Sequence, residues 1–187
     1  WLDGTLATAR GTDSVLPLDE FFKLSLSLAG LLADLHRQNI VLRHLSPRGL
    51  LWNRTSGEVL PADLSLAVRT AGEIQEALPA QLLRQALAYL SPELTGRMNR
   101  AADYRTDFYS LGATFYELLT GRPPFEAADA LELMHSHIAK TPEPPAKLDP
   151  RIPAPLSELV LKLLAKTAED RYQSALGLRA DLEICAR

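Results

Sequence analysis

Apolar residues recur every three or four positions over much of the chain, the period of helices with one buried face. Phe21, Leu24, Leu28, Leu31 and Leu35 form the first such stripe, with Asp19 and Glu20 in the opening turn, where the helix dipole favours acids. The spacing predicts a helix over about 18–37, closed by the polar turn Arg37-Gln38-Asn39. The pattern then changes. Ile40-Val41-Leu42 and Leu50-Leu51-Trp52 are short apolar runs around Pro47 and Gly49, which predict two short strands or loop arms flanking a turn. Asn53 to Gly57 has turn chemistry, and Glu58 to Val68 carries another brief extended stretch. From 69 to 91 no clear period holds beyond a helical stretch near 79–87, so a long surface segment is expected.

The most apolar element follows. Phe108, Leu111, Phe115, Leu118 and Leu119 lie at helical spacing, and Gly121 before Pro123-Pro124 stops the helix. Gly112 and Ala113 share it and leave little polar surface, which predicts a buried central helix. Ala127 to Lys140 predicts an amphipathic helix, and the proline-rich stretch from Pro142 to Pro155 a loop. Leu156, Leu159, Val160, Leu163 and Leu164 form the next helix, and Ala175 to Ala186 the last. No internal repeat or low-complexity tract interrupts the pattern. The fold class is therefore mainly α, or α+β overall: a helical domain with a small strand-rich patch around 40–68.

Composition limits what such a domain can do. The 187 residues suit one ordinary domain, and hydrophobic residues at 47% suffice for a real core. Lys and Arg total 20 against 23 Asp and Glu, a net charge of −3, which argues against a nucleic-acid-binding surface. Cys185 is the only cysteine, so no intrachain disulfide or cysteine-based zinc site can form. No apolar run approaches the ~20 residues of a membrane span, and a cytoplasmic domain is expected. The chain opens at Trp1 with neither an initiator Met nor a signal-peptide pattern, and an upstream segment is expected to have been cut away.

The strand-rich patch carries the informative residues. The order helix, Ile40 to Leu51 with Leu42-Arg43-His44 inside it, Asp63-Leu64-Ser65, then Ser91-Pro92-Glu93 resembles the large lobe of a protein kinase. Asp107-Phe108-Tyr109-Ser110-Leu111-Gly112 resembles the D-x-[WY]-S-x-G start of that family's central helix, and Thr120 to Phe125 the turn after it. Glu169-Asp170-Arg171-Tyr172 is similar to the segment whose Arg pairs with the Glu of the A-P-E motif. The run from Leu87 to Pro145 is especially similar to a kinase-like domain of large bacterial signalling proteins, where it precedes an AAA-type ATPase region, sensory domains and often a histidine kinase. The resemblance covers nearly all of residues 1–187, with 63–93 as activation segment. It implies an absent small lobe, since Trp1 to Leu6 would fall at or just beyond the hinge.

The resemblance implies two sets of residues with different fates. The scaffold set is present: Glu93 and Arg171 as a buried ion pair, Asp107 capping backbone amides of the catalytic loop, and Ser110 and Gly112 on the central helix. The chemical set is depleted. Phosphoryl transfer needs an Asp to accept the hydroxyl proton, and an Asn and the DFG Asp to hold Mg²⁺. Here the base position is His44, the Lys position Ser46, the Asn position Gly49, and the Gly-Thr pair reads Gln85-Ala86. Asp63 and Arg43 remain of the reaction machinery. An imidazole of ordinary pKa about 6.5 can act as a base, but it brings no negative charge. A lone carboxylate, Asp63, makes a poor Mg²⁺ site.

Weaker signals have ordinary readings. His135-Ser136-His137 lacks the i, i+4 spacing of helical metal ligands and is expected on a surface or groove-lining helix. Arg43 beside the lost base is expected to be a structural donor, with a phosphate-receiving role as the alternative. Thr70 is the only Ser or Thr between Ser65 and Ser91, so a phospho-switch has few sites there. Met98 sits in a basic loop read as solvated, and Cys185 has no assigned role.

The expected function is a catalytically impaired pseudokinase acting as a regulatory and interaction module, with other domains of a multidomain signalling chain or signalling proteins as partners. One alternative is an active ATP-dependent Ser/Thr kinase using His44 as base and Asp63 as metal ligand. The other is a helical scaffold with no nucleotide role. No cofactor is expected for residues 1–187 alone; ATP and Mg²⁺ enter only with an active two-lobe domain.

Overall fold

The structure, a computed structural model, describes residues 15–74, 86–97 and 101–187. Helix α1 spans Leu18–Arg37, the predicted range, with Asp19 and Glu20 in its first turn. Its apolar stripe is buried at Phe21, Leu24, Leu28 and Leu32. Two small antiparallel sheets follow. Strand β1 is Ile40–Val41, β2 is Leu50–Trp52 and β3 is Val59–Pro61, while β4 is Val68–Arg69. The stretch read as extended from Glu58 to Val68 thus splits between two sheets. Strand β2 pairs with β3, Leu50 opposite Pro61 and Trp52 opposite Val59. Strand β1 pairs with β4, Ile40 opposite Arg69.

The predicted central helix is α2, Thr106–Thr120, and all of it except Glu117 and Thr120 is buried. A helix this apolar all round belongs inside a core. It ends where the sequence stops it, at Gly121 with φ of 79°, whose N–H returns to the Glu117 carbonyl. Helix α3 is Ala130–Ala139, α4 is Pro145–Leu148, α5 is Ala154–Leu163 and α6 is Ala175–Cys185. Helix α5 packs on α2 and α6 on α1, which encloses the core. The α2–α5 contact is close at Gly112, where an added Cβ would lie 2.7 Å from Leu163 Cβ.

Several expectations change. Helix α3 starts at Ala130, later than Ala127, because the Asp129 side chain caps the Glu132 N–H. The proline-rich loop contains a turn of helix, α4, since Pro145 at its start needs no N–H partner there. Ser136 and His137 are buried, so of these three residues only His135 lies on the surface side of α3. In the segment read as surface, Ala71 to Glu73 are exposed but Ala86, Leu87 and Leu90 are buried. Trp1 to Leu6, most of the helical stretch near 79–87, Gln85 and Met98 lie outside the described residues. Among the described residues no helix is long and apolar enough to cross a membrane.

Candidate functional site

The site is organised by one carboxylate. Asp107 stands in the first turn of α2 with its side chain fully buried. Its Oδ1 accepts the Arg43 N–H at 2.7 Å, and Oδ2 accepts the Leu42 N–H at 3.0 Å. His36 Nε2, at the end of α1, reaches the same Oδ2 at 2.9 Å. The left-handed backbone at Arg43, φ 66°, turns these consecutive amides toward one acceptor. A non-glycine residue there costs of order 1 kcal/mol, and charge-assisted bonds of this kind offset it. Thr114 and Ser110 complete the anchoring. Thr114 Oγ1 donates to the Leu45 carbonyl at 3.0 Å, and Ser110 Oγ to the Tyr89 carbonyl at 2.8 Å. One face of α2 therefore holds both the loop after β1 and the segment before Ser91.

His44 projects from this loop into a cleft of about 610 Å³, lined also by Ser46, Gly49, Asp63 and Tyr89. Its ring stands edge-on to Tyr89, centroids 5.8 Å apart. Nε2 lies 3.1 Å from Ser46 Oγ, and Nδ1 is buried with no hydrogen-bond partner among the described residues. Burial lowers the His44 pKa to about 4, against the opposing pull of the Asp63 charge, so the ring is neutral at pH 7. Ser46 Oγ also accepts the Gly49 N–H at 3.2 Å and so starts the 3-10 turn Pro47–Gly49. The side-chain-free Gly49 sits against that hydroxyl, where an added Cβ would lie 3.3 Å away.

Asp63 is exposed on the opposite wall. Its oxygens accept the Ser65 N–H at 2.8 Å and the Ser65 hydroxyl at 2.9 Å. The Ser65 amide first, and then its hydroxyl, hold the carboxyl below its usual range. The cleft thus brings together His44, Ser46, Gly49 and Asp63. Arg43 is buried beside it and contributes its backbone N–H to Asp107. The larger cavity of about 730 Å³, between α1 and α6, contains none of the predicted site residues.

The ion pair is present as expected. Arg171 Nη1 donates to Glu93 Oε1 at 2.7 Å and Nη2 to Oε2 at 2.9 Å, with both residues buried. The other donors reach the Ala165, Arg105 and Lys166 carbonyls, so every guanidinium N–H is used. Thr106 Oγ1 adds a bond to Glu93 Oε1 at 3.0 Å. Burial alone would raise the Glu93 carboxyl; the Arg171 hydrogen bonds and charge outweigh it and hold the group below its usual range.

Sequence reasoning missed His36, Thr114, Thr106 and the Tyr89 backbone. A signal existed for the first, since His36 continues the Leu28–Leu32 spacing and so faces α2. His137, expected on a surface or groove-lining helix, is buried and meets the Tyr109 hydroxyl through Nδ1 at 2.9 Å. Among the described residues no group of three or more His, Cys, Asp or Glu side chains converges as metal ligands do.

Residues 3–180 match the model of the protein kinase domain family. Over 183 residues the chain is 33% identical to serine/threonine-protein kinase PknB of Mycobacterium leprae, covering 97% of this chain and 29% of that protein. A probable serine/threonine-protein kinase of Streptomyces coelicolor is 34% identical over 150 residues, 80% of this chain and 22% of the relative. A hybrid signal transduction histidine kinase of Dictyostelium discoideum is 54% identical over 96 residues, 51% of this chain and 3% of that protein. The chain therefore spans less than a third of each of these relatives.

Proposed function

Since the chain belongs to the protein kinase family, we propose that it is the large lobe of a pseudokinase, a regulatory and interaction module that does not transfer phosphate. The observation that carries this reading is the state of His44. A general base must reach the proton it removes, at roughly 2.6–3.2 Å or through a water. Nδ1 is buried, and Nε2 is engaged by Ser46. The ring is also neutral, so it lacks the charge an Asp would hold beside the attacking hydroxyl. The active-kinase alternative, with His44 as base, meets these obstacles directly.

The residues present do not fit a magnesium ion either. Both Asp63 oxygens bond to Ser65, and Gly49 brings no side-chain oxygen. Mg²⁺ demands near-octahedral oxygen ligation, which this donor set does not offer. The scaffold residues, by contrast, are all engaged: Glu93 with Arg171, Asp107 with the loop amides, Ser110 with Tyr89. A fold kept while its chemistry lapses suits a protein that signals by binding. Its partners are other domains of the same multidomain signalling chain, a reading supported by the short segment shared with a far longer hybrid histidine kinase. A cytoplasmic location accompanies it.

Thermal-shift titration of the two-lobe protein tests the reading. ATP that binds stabilises by RT ln(1 + [L]/Kd), and Mg²⁺ should add nothing to that shift. A magnesium-dependent increment lost in Asp63→Ala would contradict the proposal. No shift with ATP at all would favour the scaffold without a nucleotide role.

A further inference from the structure

The cavity between α1 and α6 encloses about 730 Å³, within the roughly 300–1,000 Å³ of small-molecule sites. Its body is apolar: Gly30 and Ala33 of α1, Val41 of β1, and Ala175 and Leu176 of α6. The small side chains on both helices keep that space open. Tyr104 also lines it, and its hydroxyl donates to the Gln173 carbonyl at 2.9 Å, which leaves the ring as the lining surface. His36 stands edge-on to that ring, centroids 5.3 Å apart.

Two polar groups around the cavity have bonding capacity left. His36 Nε2 lies 2.9 Å from Asp107 Oδ2, and a carboxylate only accepts, so Nε2 carries the proton. Nδ1 of the neutral ring is therefore an acceptor. It has no partner among the described residues and is not buried, on a ring that lines the cavity. The second group is Glu73. Asp34 pairs with Arg37 at 3.0 Å, Asp103 with Arg105 at 2.7 Å and Arg179 with Glu183 at 3.1 Å. Of the acids and arginines lining the cavity, Glu73 alone has no opposite charge among the described residues.

An acceptor and an unbalanced carboxylate beside an apolar body select a donor with an apolar body of its own. We propose that this cavity binds a small amphipathic amine, with Glu73 balancing the ammonium charge and His36 Nδ1 accepting an N–H. An anion would face a carboxylate and a lone pair, and a purely apolar ligand would leave Nδ1 desolvated without a partner.

One side chain connects the site to the loop that carries His44. A donor at Nδ1 polarises the ring and strengthens the Nε2–H bond to Asp107. Asp107 also holds the Leu42 and Arg43 amides, at 3.0 and 2.7 Å. Occupancy of the cavity therefore tightens the backbone just before His44.

Calorimetric titration of the full-length protein with tryptamine tests the site, with indole-3-propionate, a similar body ending in a carboxylate, as the control. The expected result is saturable tryptamine binding with a dissociation constant on the order of 0.1–1 mM, as suits so small a ligand, and none of the propionate. Glu73→Gln should weaken it roughly 3–5-fold. Gly72→Trp should abolish it with no change in melting temperature, since a Cβ added at Gly72 meets nothing within 4 Å and the indole can occupy the cavity. Hydrogen exchange at the Leu42 and Arg43 amides should slow several-fold at saturation. No saturable binding up to about 10 mM overturns the proposal. Equal binding of the propionate, or binding indifferent to both variants, overturns it too. Unchanged exchange at Leu42 and Arg43 overturns the link to the loop. None of these readouts involves nucleotide, so they stand apart from the question of phosphate transfer.

Discussion

Glu93→Ala removes the acceptor for the shortest Arg171 bond and strands a guanidinium whose side chain is fully buried. The magnitude follows from what is left behind. Arg171 keeps its bonds to the Ala165, Arg105 and Lys166 carbonyls but loses the carboxylate that balances its charge, and Thr106 loses an acceptor. Breaking a buried pair from one side costs about 3–5 kcal/mol. For a chain of this size each kcal/mol moves Tm by about 2–4 °C, so a fall of roughly 6–20 °C is expected. Arg171→Met should cost a similar amount, while the double variant should cost far less than the sum of the singles. Glu93 sits below its ordinary 4.5 in the folded state, so its contribution is present above that value and is lost as pH falls through the folded pKa. The Glu93→Ala deficit should therefore shrink in acid. Urea titrations of the single and double variants at pH 7 and pH 4 measure this. Single costs under about 1 kcal/mol, or costs that simply add, would refute the reasoning.

Other expectations follow from individual contacts. Gly112→Ala places a Cβ 2.7 Å from Leu163 Cβ, so α2 and α5 must part at a cost of about 1–3 kcal/mol, readable in urea melts; an unchanged midpoint would contradict the close approach. Asp107→Ala leaves the Leu42 and Arg43 amides without their acceptor, and a loss of at least about 2 kcal/mol is expected, with faster amide exchange at those positions. Burial lowers His44 to about 4 and, with help from Lys166, His137 to about 3, both below the usual 6.5. The folded state then binds fewer protons than the unfolded chain, so stability should fall as pH drops below 6.5. His44→Gln and His137→Gln should each flatten part of that slope, and identical slopes would argue against burial as the cause.

The helices were legible because their apolar positions keep a single period. Phe21 to Leu35 and Phe108 to Leu119 placed α1 and α2 with no tertiary information. Helix α4 was hidden because prolines mark loops and helix starts alike. The ion pair joins residues 78 positions apart, and it was legible only through the family pattern. The contents of the cleft were equally readable, since Gly49 and His44 declare their chemistry by identity. The burial of His44 Nδ1 was not, because it depends on how Tyr89 and Ser46 pack around the ring. The role of His36 arises where two distant helices meet.

The most direct test is transfer of radiolabelled phosphate from ATP with Mg²⁺ by the full-length protein, to itself and to generic protein substrates. The expected result is no incorporation above that of Asp63→Ala. Incorporation that disappears in both His44→Ala and Asp63→Ala would contradict the proposed loss of catalysis and favour the alternative with His44 as base.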